Sequence, residues 1–593
     1  MLAFSTVFVC MQLFTLLQDI TNMDVNLSHE RVRNIEEGSD KSENAYSQIN
    51  DENQILIDSQ MHTNSILSSY FTKEITPEDP FESVCELSPT EQLIKEPEST
   101  EKPVVSIQTQ PEANADIASL NRLRHRDAWL PSESTRSLLM NRNSNLKSIE
   151  IRPILMGKDY EVEDGSNTTS SLDPFYHLLV QYSSEEPGIN AIRRPPSIEQ
   201  VDQSVDGLKE LIANGWYTCA LNLTYRILSN LGFQEGKSGS VLTPYTAQIW
   251  LTRLALLVRT RNYELAEREL ATFQNMDAPN VYFEYTPELY PGRTGSIIPF
   301  SLRLLHAELP FHLNRSTEAL DRLYYLLAII GRIRSNLEKG FKEDGLTNES
   351  DPAYRQTSLN LWKSREIRVL SSCLSIFLQK FDHQSAIQIV HQISGLCCDN
   401  QVALRGFCAI LGRIYLQFGD LETAKAYFDK SLPSADVSLN DNPQVLIRKC
   451  FQNALLCIGK GEYQEARKLF QEVLSLDPTN VTAANNLAIC GLYLGQLTES
   501  IGALEKLTTV GLTGQLLPNP LDNISSTGSS TSFLLNTQCR RFCLHDVMIS
   551  NLTALYEVES DSATVKKVNL LKKLIKIPGE PVHVSSFKLP VKQ

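Results

Sequence analysis

Residues 449–478, KCFQNALLCIGKGEYQEARKLFQEVLSLDP, and residues 480–507, NVTAANNLAICGLYLGQLTESIGALEKL, decide the fold when one is laid over the other. Gly461 falls on Gly495, Tyr463 on Leu497, Ala466 on Ser500 and Phe470 on Leu504, each pair 34 residues apart. Apolar residues recur at helical spacing in both stretches, and nothing alternates as a strand would. The preceding stretch, FCAILGRIYLQFGDLETAKAYFDKSL (407–432), carries Leu411-Gly412, Tyr415, Gly419, Leu421, Ala424 and Phe428 in the same order. Each place has a physical duty. A small residue at Gly412, Ala454 and Ala488 lets a second helix approach the first. Glycine at 419, 461 and 495 ends the first helix in a left-handed cap. Ala424, Ala466 and Ser500 stand where the two helices cross most tightly, and Phe428, Phe470 and Leu504 fill the gap to the next pair. Pro478 stops the second helix.

A helix–turn–helix unit recurring every 34 residues is the tetratricopeptide repeat (TPR) period. Weaker copies extend it upstream. Gly215, Tyr217 and Ala220 form one; Trp250, Tyr263, Ala266 and Leu270 the next; Ala307, Asn314 and Ala319 a third, kinked at Pro310; Leu374, Phe377 and Ala386 a fourth. ISNLTALYEVES (549–560) reads as the first helix of a closing repeat. The expected fold is therefore all-α: a TPR-type α-solenoid, a right-handed superhelix of helix pairs over 201–565, with seven repeats and a partial one. Inserts interrupt it near 275–300 and 509–535, and 566–593 is set apart as a C-terminal tail. Within the first insert, Tyr290-Pro291-Gly292-Arg293 suits a β-turn with Pro at its second and Gly at its third position, and Arg293 is expected to satisfy buried carbonyls or to meet a partner.

The formal net charge of −15 sits in residues 1–120, which carry 21 Asp and Glu against 6 Lys and Arg; the remaining 473 residues hold 49 of each sign. The body has no basic excess to suggest nucleic acid. Residues 1–118 read as a disordered acidic arm, polar and without sustained apolar period. The apolar stretch at 2–17 has the look of a signal h-region but lacks a basic flank and a small-residue cleavage site, and is short for a membrane span. A signal or anchor, an amphipathic interaction segment and a mistaken start all stay open. Residues 119–200 read as a partly ordered lead-in, where Trp129, within LNRLRHRDAWLPSESTR (120–136), is expected to dock on the body or on a partner. The D-P-F triplets at 79–81 and 173–175 read as turn tripeptides.

No chemistry-bearing constellation emerges. The twelve cysteines form no C-x-x-C, and Cys539 and Cys543 lack a second pair to complete a zinc site. The stretch GFQEGKSGS (232–240) is one residue short of a phosphate-binding loop and follows a helix rather than a strand. No catalytic, metal or cofactor-binding residue is assigned, and no small-molecule substrate is expected.

Several stretches resemble a known family. DAWLPSESTR (127–136), GLKELI with WYTCALNL (207–223), GKSGSVL (236–242), WLTRLALLV (250–258) and above all YPGRTGSIIPFSLRLLHAEL (290–309) are similar to the subunit-12 family of the trafficking protein particle (TRAPP) complex. The resemblance runs from about 127 to 560. It implies a non-catalytic scaffold of a multisubunit vesicle tether acting in endoplasmic reticulum-to-Golgi transport and autophagy. It further implies other TRAPP subunits as partners, indirect membrane contact, and a cytoplasmic location at the endoplasmic reticulum–Golgi intermediate compartment and Golgi. On a solenoid the concave face, lined by first helices, holds a partner's segment. On the strongest repeats that face should include Arg413, Leu416, Gln417, Arg448, Phe451, Leu455, Asn485 and Ile489. A co-chaperone that clamps peptide tails is the weaker alternative, because Ala409, Arg413, Gln452, Thr482 and Asn486 do not reproduce the Lys/Asn clamp. A secreted or membrane-anchored repeat protein, glycosylated at sites such as Asn167 or Asn348, is the other.

Overall fold

The computed structural model describes residues 124–140, 151–156, 173–182, 195–196, 201–234, 241–397, 400–433, 443–478, 480–513 and 544–589. The acidic arm, the apolar stretch at 2–17, the first D-P-F triplet, GKSGS (236–240) and most of the 509–535 insert lie outside the described residues. Two short lead-in helices, α1 (Glu133–Met140) and α2 (Pro174–Tyr182), precede the array. Helix pairs then follow in order: α3 (Val205–Ala213) with α4 (Tyr217–Asn230), α5 (Pro244–Arg259) with α6 (Tyr263–Ala271), and α7 (Phe300–His312) with α8 (Ser316–Glu338). Next come α9 (Pro352–Gln379) with α10 (His383–Leu396), α11 (Gln401–Phe418) with α12 (Leu421–Ser431), and α13 (Pro443–Lys460) with α14 (Tyr463–Leu476). Finally α15 (Val481–Tyr493) pairs with α16 (Leu497–Thr513), and α17 (Asp546–Glu559) with α18 (Ala563–Leu574). The described residues contain isolated bridges but no strand.

One turn recurs through the array. Between the helices of each of the first seven pairs a single residue takes positive φ: Gly215, Arg261, Asn314, Phe381, Gly419, Gly461 and Gly495. The hydrogen bonds are the same each time; at Gly419 its N–H donates to Leu416 O and the next N–H, of Asp420, to Tyr415 O. This is the Schellman closure, which satisfies the last carbonyls of the first helix. Phe381 adopts it at φ 59° without glycine's freedom, a left-handed conformation that costs an L-residue roughly 1–2 kcal/mol. The same helix-ending bonds hold it, Phe381 N donating to Leu378 O and Asp382 N to Phe377 O. At the helix crossing, Ala220, Ala266, Ala319, Ala386, Ala424 and Ala466 are wholly buried. A Cβ on Gly412 would lie 2.5 Å from the Phe428 ring, so the close approach requires glycine.

The eighth pair differs from expectation. Residues after 565 are not a tail: the 565 boundary falls inside α18, and the chain from Ile575 to Phe587 continues the cap, with Ile575, Ile577, Val582 and Phe587 buried. The sequence hid this because α18 carries lysines at 566, 567, 572 and 573 among its apolar residues. Lys567 nonetheless folds inward, with Nζ donating to Lys588 O at 3.0 Å and paired with Glu557.

Buried apolar residues form three clusters: one from the lead-in through the first half of α11, one around α12–α14, and one joining α2 to α16–α18 and the C-terminal segment. In the last, Phe175 packs edge-on to Phe587 with centroids 6.0 Å apart. The second D-P-F triplet is therefore structural: Asp173 Oδ1 caps α2 by accepting from Phe175 N at 3.0 Å.

The end of the array touches its beginning. Glu580 N donates to Gly215 O at 2.8 Å and Glu580 Oε1 accepts from Thr218 N at 2.8 Å. Arg261 bridges to Asp546 at 2.7 Å and to Ser585 Oγ at 3.0 Å. The clasp is polar and partly exposed, whereas a dry ion pair fastens the two helices of the second repeat. Arg253 on α5 meets Glu269 on α6 through both nitrogens, at 2.8 and 2.7 Å, with both side chains fully buried. Arg253 also donates to Leu221 O on α4 at 3.2 Å.

Two outcomes are expected. Arg253→Ala strands a buried carboxylate and should destabilise the chain by about 3–5 kcal/mol in chemical denaturation. Gly579 holds φ 78° and has no room for a Cβ against Asn214 O. Gly579→Ala should cost about 1–3 kcal/mol at the clasp, read as faster amide exchange at 214–218 and 579–587 with the central repeats unchanged.

Candidate interaction surfaces

The Tyr290–Arg293 turn forms as the residues dictate, with Arg293 N donating to Tyr290 O at 3.3 Å and Gly292 at φ 75°. Pro291 and Gly292 are exposed at its tip, while the buried Tyr290 ring lies edge-on to Phe283 at 5.1 Å. Arg293 stacks its guanidinium 4.1 Å from the Phe283 centroid and bonds Asp127 Oδ2 at 2.7 Å. Ser296 N donates to Asp127 O at 2.8 Å. The partner of Arg293 is thus the chain's own lead-in.

Trp129 docks on the body two residues later. It is only 6% exposed, with Arg303 4.6 Å over its ring and Phe300 and Trp362 at 6.3 and 6.4 Å. Arg365, stacked on Trp362 at 4.5 Å, donates to Arg126 O at 3.0 Å. At the start of the lead-in, His125 Nδ1 lies 3.0 Å from Glu343 Oε1, which also accepts from Ser358 Oγ at 2.6 Å. Burial pushes the Glu343 carboxyl up, but the hydrogen bonds from His125 and Ser358 outweigh it and hold the group below the usual carboxylate range. Trp129 and the 290–293 turn, separated by 161 positions in the chain, therefore belong to one buckle that fastens the lead-in across repeats two to four.

The predicted concave set is mostly filled. Leu416, Phe451 and Leu455 belong to the α12–α14 core, Phe451 edge-on to Phe470 at 5.5 Å. Asn485 is covered by α17, accepting from Asn551 Nδ2 at 3.1 Å. Ile489 and Arg413 are buried as well. Of the eight, only Arg448 is exposed; Gln417 is half-buried, with its Nε2 turned away from solvent. The reading from repeat positions assumed an open groove; the later first helices pack closely enough to turn groove positions into core. Burial, followed by the charge of Arg448, pushes the Arg413 guanidinium down to about 9.

Two features escaped the sequence reading. Arg405, half-buried on α11, acts electrostatically on Arg448 of α13. On the turn side, Phe381 is 54% and Phe418 69% exposed, with His383 between them at 6.4 and 6.0 Å. Further along the same edge Tyr493 stacks on Tyr463 at 4.4 Å. The only sequence signal was an aromatic just before or at the helix-ending position. Burial pushes the Cys373 and Cys490 thiols up to about 12, and the His306, His312 and His545 imidazoles down to about 4. At neutral pH these stay protonated thiols and neutral rings, suited to packing. No group of His, Cys, Asp and Glu among the described residues could hold a metal ion, and no helix among them is long and apolar enough to cross a membrane.

Because Glu343 is held below its unfolded value, its stabilisation is complete above the ordinary glutamate value of about 4.3 and is lost as pH falls below it through the folded value. Glu343→Gln should loosen the lead-in by about 1–3 kcal/mol at pH 7 and abolish the acid-side change, followed by proteolysis between 124 and 140.

Tetratricopeptide-repeat family models match residues 458–510 and 406–432. The chain is 34% identical over 469 residues to trafficking protein particle complex subunit 12 of Mus musculus, covering 79% of this chain and 54% of that protein. To the Homo sapiens protein of the same name it is 33% identical over 470 residues, 79% of this chain and 58% of the other. The chain thus spans rather more than half the length of these curated relatives. A solved tetratricopeptide repeat protein from Parabacteroides merdae is 13% identical, with 55% of this chain and 98% of that chain covered and a TM-score of 0.26, too low to carry any argument.

Proposed function

The chain is a tetratricopeptide-repeat protein that resembles trafficking protein particle complex subunit 12 over about four fifths of its length, and we propose that it serves as a non-catalytic scaffold subunit of that multisubunit complex. In this reading it contributes to vesicle tethering between endoplasmic reticulum and Golgi and to autophagy, resides in the cytoplasm at those membranes, and reaches them through its partner subunits. The observation that carries the proposal is the extent of the similarity. At 469 residues it exceeds the helix pairs between Val205 and Leu574, so it includes sequence beyond the array itself. Generic repeat similarity would stop at the repeats.

Partner contact is assigned to what the fold leaves open: Arg448 on the first-helix side, and the Phe381–His383–Phe418 edge. Exposed aromatics that pack on one another and rim an otherwise polar edge have the composition of interface hot spots.

The test is affinity purification of the tagged full-length chain from cells, with mass spectrometry of what co-purifies. Subunits of the trafficking complex are the expected result, and Phe381→Ser with Phe418→Ser should reduce their recovery at least fivefold at unchanged thermal stability. Recovery of chaperones without such subunits would defeat the assignment to the complex; unchanged recovery with the double variant would defeat the assignment of the edge alone.

A further inference from the structure

The short helix α2 packs against α18 and the turn at 584–587. Its Phe175 and Leu179 are buried in one cluster with Leu571, Leu574 and Phe587 of the cap. The chain on either side of it is held at the other end of the array. Before α2, Ile151 N donates to Asn280 Oδ1 at 3.0 Å and Leu155 N to Phe233 O at 2.8 Å; after it, α3 opens the first pair. Alongside the polar clasp, α2 therefore ties the last pair to the first. A helix of nine residues has little stability of its own in water. It keeps its place through two anchors four positions apart, set in a groove that the cap supplies, and a segment with the same anchors fits the same groove.

The chain carries such a segment. Asp173 starts α2 by accepting from Phe175 N at 3.0 Å, with Pro174 in the first helical position. Asp79-Pro80-Phe81 repeats that start, and the match runs on beyond the triplet. The buried Phe175 and Leu179 fall on Phe81 and Cys85, and the half-buried Leu178 on Val84. The exposed His177 and Val180 fall on Ser83 and Glu86. A free cysteine packs as a small apolar side chain, so 79–86 is apolar where α2 is covered and polar where α2 meets water. Its reach is sufficient. Arg124 lies over Tyr354 of α9 at 5.1 Å, and the 37 residues from 87 to 123 can span up to about 120 Å. Nine helix-to-helix steps of 8–10 Å separate α9 from α18, at most about 90 Å. We propose that residues 79–86 of the acidic arm dock as a helix in the cap groove in exchange with α2, and so undo one of the two ties between the last pair and the first. Cys85 buries less apolar area than Leu179 does, which makes α2 the resident and the arm its replacement whenever α2 is drawn away. The long tether keeps that replacement at a high effective concentration.

The experiment measures binding of a fluorescent peptide of residues 77–90 to three full-length chains by anisotropy. One is unaltered, one carries Phe175→Ser with Leu179→Ser, and one adds Phe81→Ser to those two changes. The third chain, with both of its own occupants disabled, should bind the peptide at least tenfold more tightly than either of the others. In the unaltered chain α2 fills the groove, and in the second the arm does. Phe81→Ser within the peptide should abolish binding, an unlabelled peptide of residues 172–183 should displace it, and amides 81–86 should exchange more slowly in the second chain than in the third. Should loss of both anchors unfold the cap, Leu179→Ala, which leaves Phe175 against Phe587, replaces the pair in both chains. Equal binding to the second and third chains overturns the proposal, and so does a third chain that binds the 172–183 peptide but not the 77–90 peptide. Dimers of the second chain that vanish on adding Phe81→Ser would place the arm on a second copy and likewise overturn it. None of these outcomes bears on which proteins co-purify with the chain, so this proposal and the complex assignment fail separately.

Discussion

A stack of helix pairs has two ends, and each end would leave an apolar face in water. Every inner pair buries itself against the next, as Phe470 of α14 shares a cluster with Ala483 and Cys490 of α15, but the first and last pairs have a neighbour on one side only. The rest of the structure answers that constraint. At the far end, α17 and α18 and the returning C-terminal segment cover α16 and take Phe175 and Leu179 of the lead-in into the same cluster. At the near end, Gly215 and Thr218 are met by Glu580. Each end is sealed by a segment from elsewhere in the chain.

The lead-in buckle and the terminal clasp differ in physical kind. The lead-in buckle is largely desolvated: Trp129 lies among Phe300, Trp362 and Arg303, and Asp127 pairs with Arg293. Dry packing of this sort resists opening, since separation exposes aromatic area and strands charged groups together. The clasp between α5–α6 and the cap rests on Arg261 with Asp546 and on backbone hydrogen bonds of Glu580. Exposed ion pairs are worth little each and are weakened by salt. Local opening of the array should therefore begin at the clasp, where no apolar cluster is shared between the joined parts.

Packing also decides what the array presents. First-helix positions that form an open groove when repeats splay apart become core when they close, and Leu416, Phe451 and Leu455 have crossed that line. What stays outward is Arg448 on one side and an aromatic edge on the other. An array of this kind offers distinct electrostatic and apolar contacts instead of one continuous groove.

The sequence by itself determined the helix pairs and their register. Gly419, Gly461, Gly495 and the alanines at the crossings are local requirements of a left-handed cap and a close approach, and such requirements are written in residue type. It also singled out Trp129 and the Tyr290–Arg293 turn, because an aromatic in a polar stretch and a Pro-Gly turn are legible anywhere. Only the tertiary structure decided that these two meet each other, that Phe381 adopts the cap conformation without being glycine, that lysine-rich α18 folds as the final cap, and that most of the expected concave face is core. All but the Phe381 turn depend on contacts between residues far apart in the chain, whose energy exceeds local preference and leaves no periodic trace in the sequence.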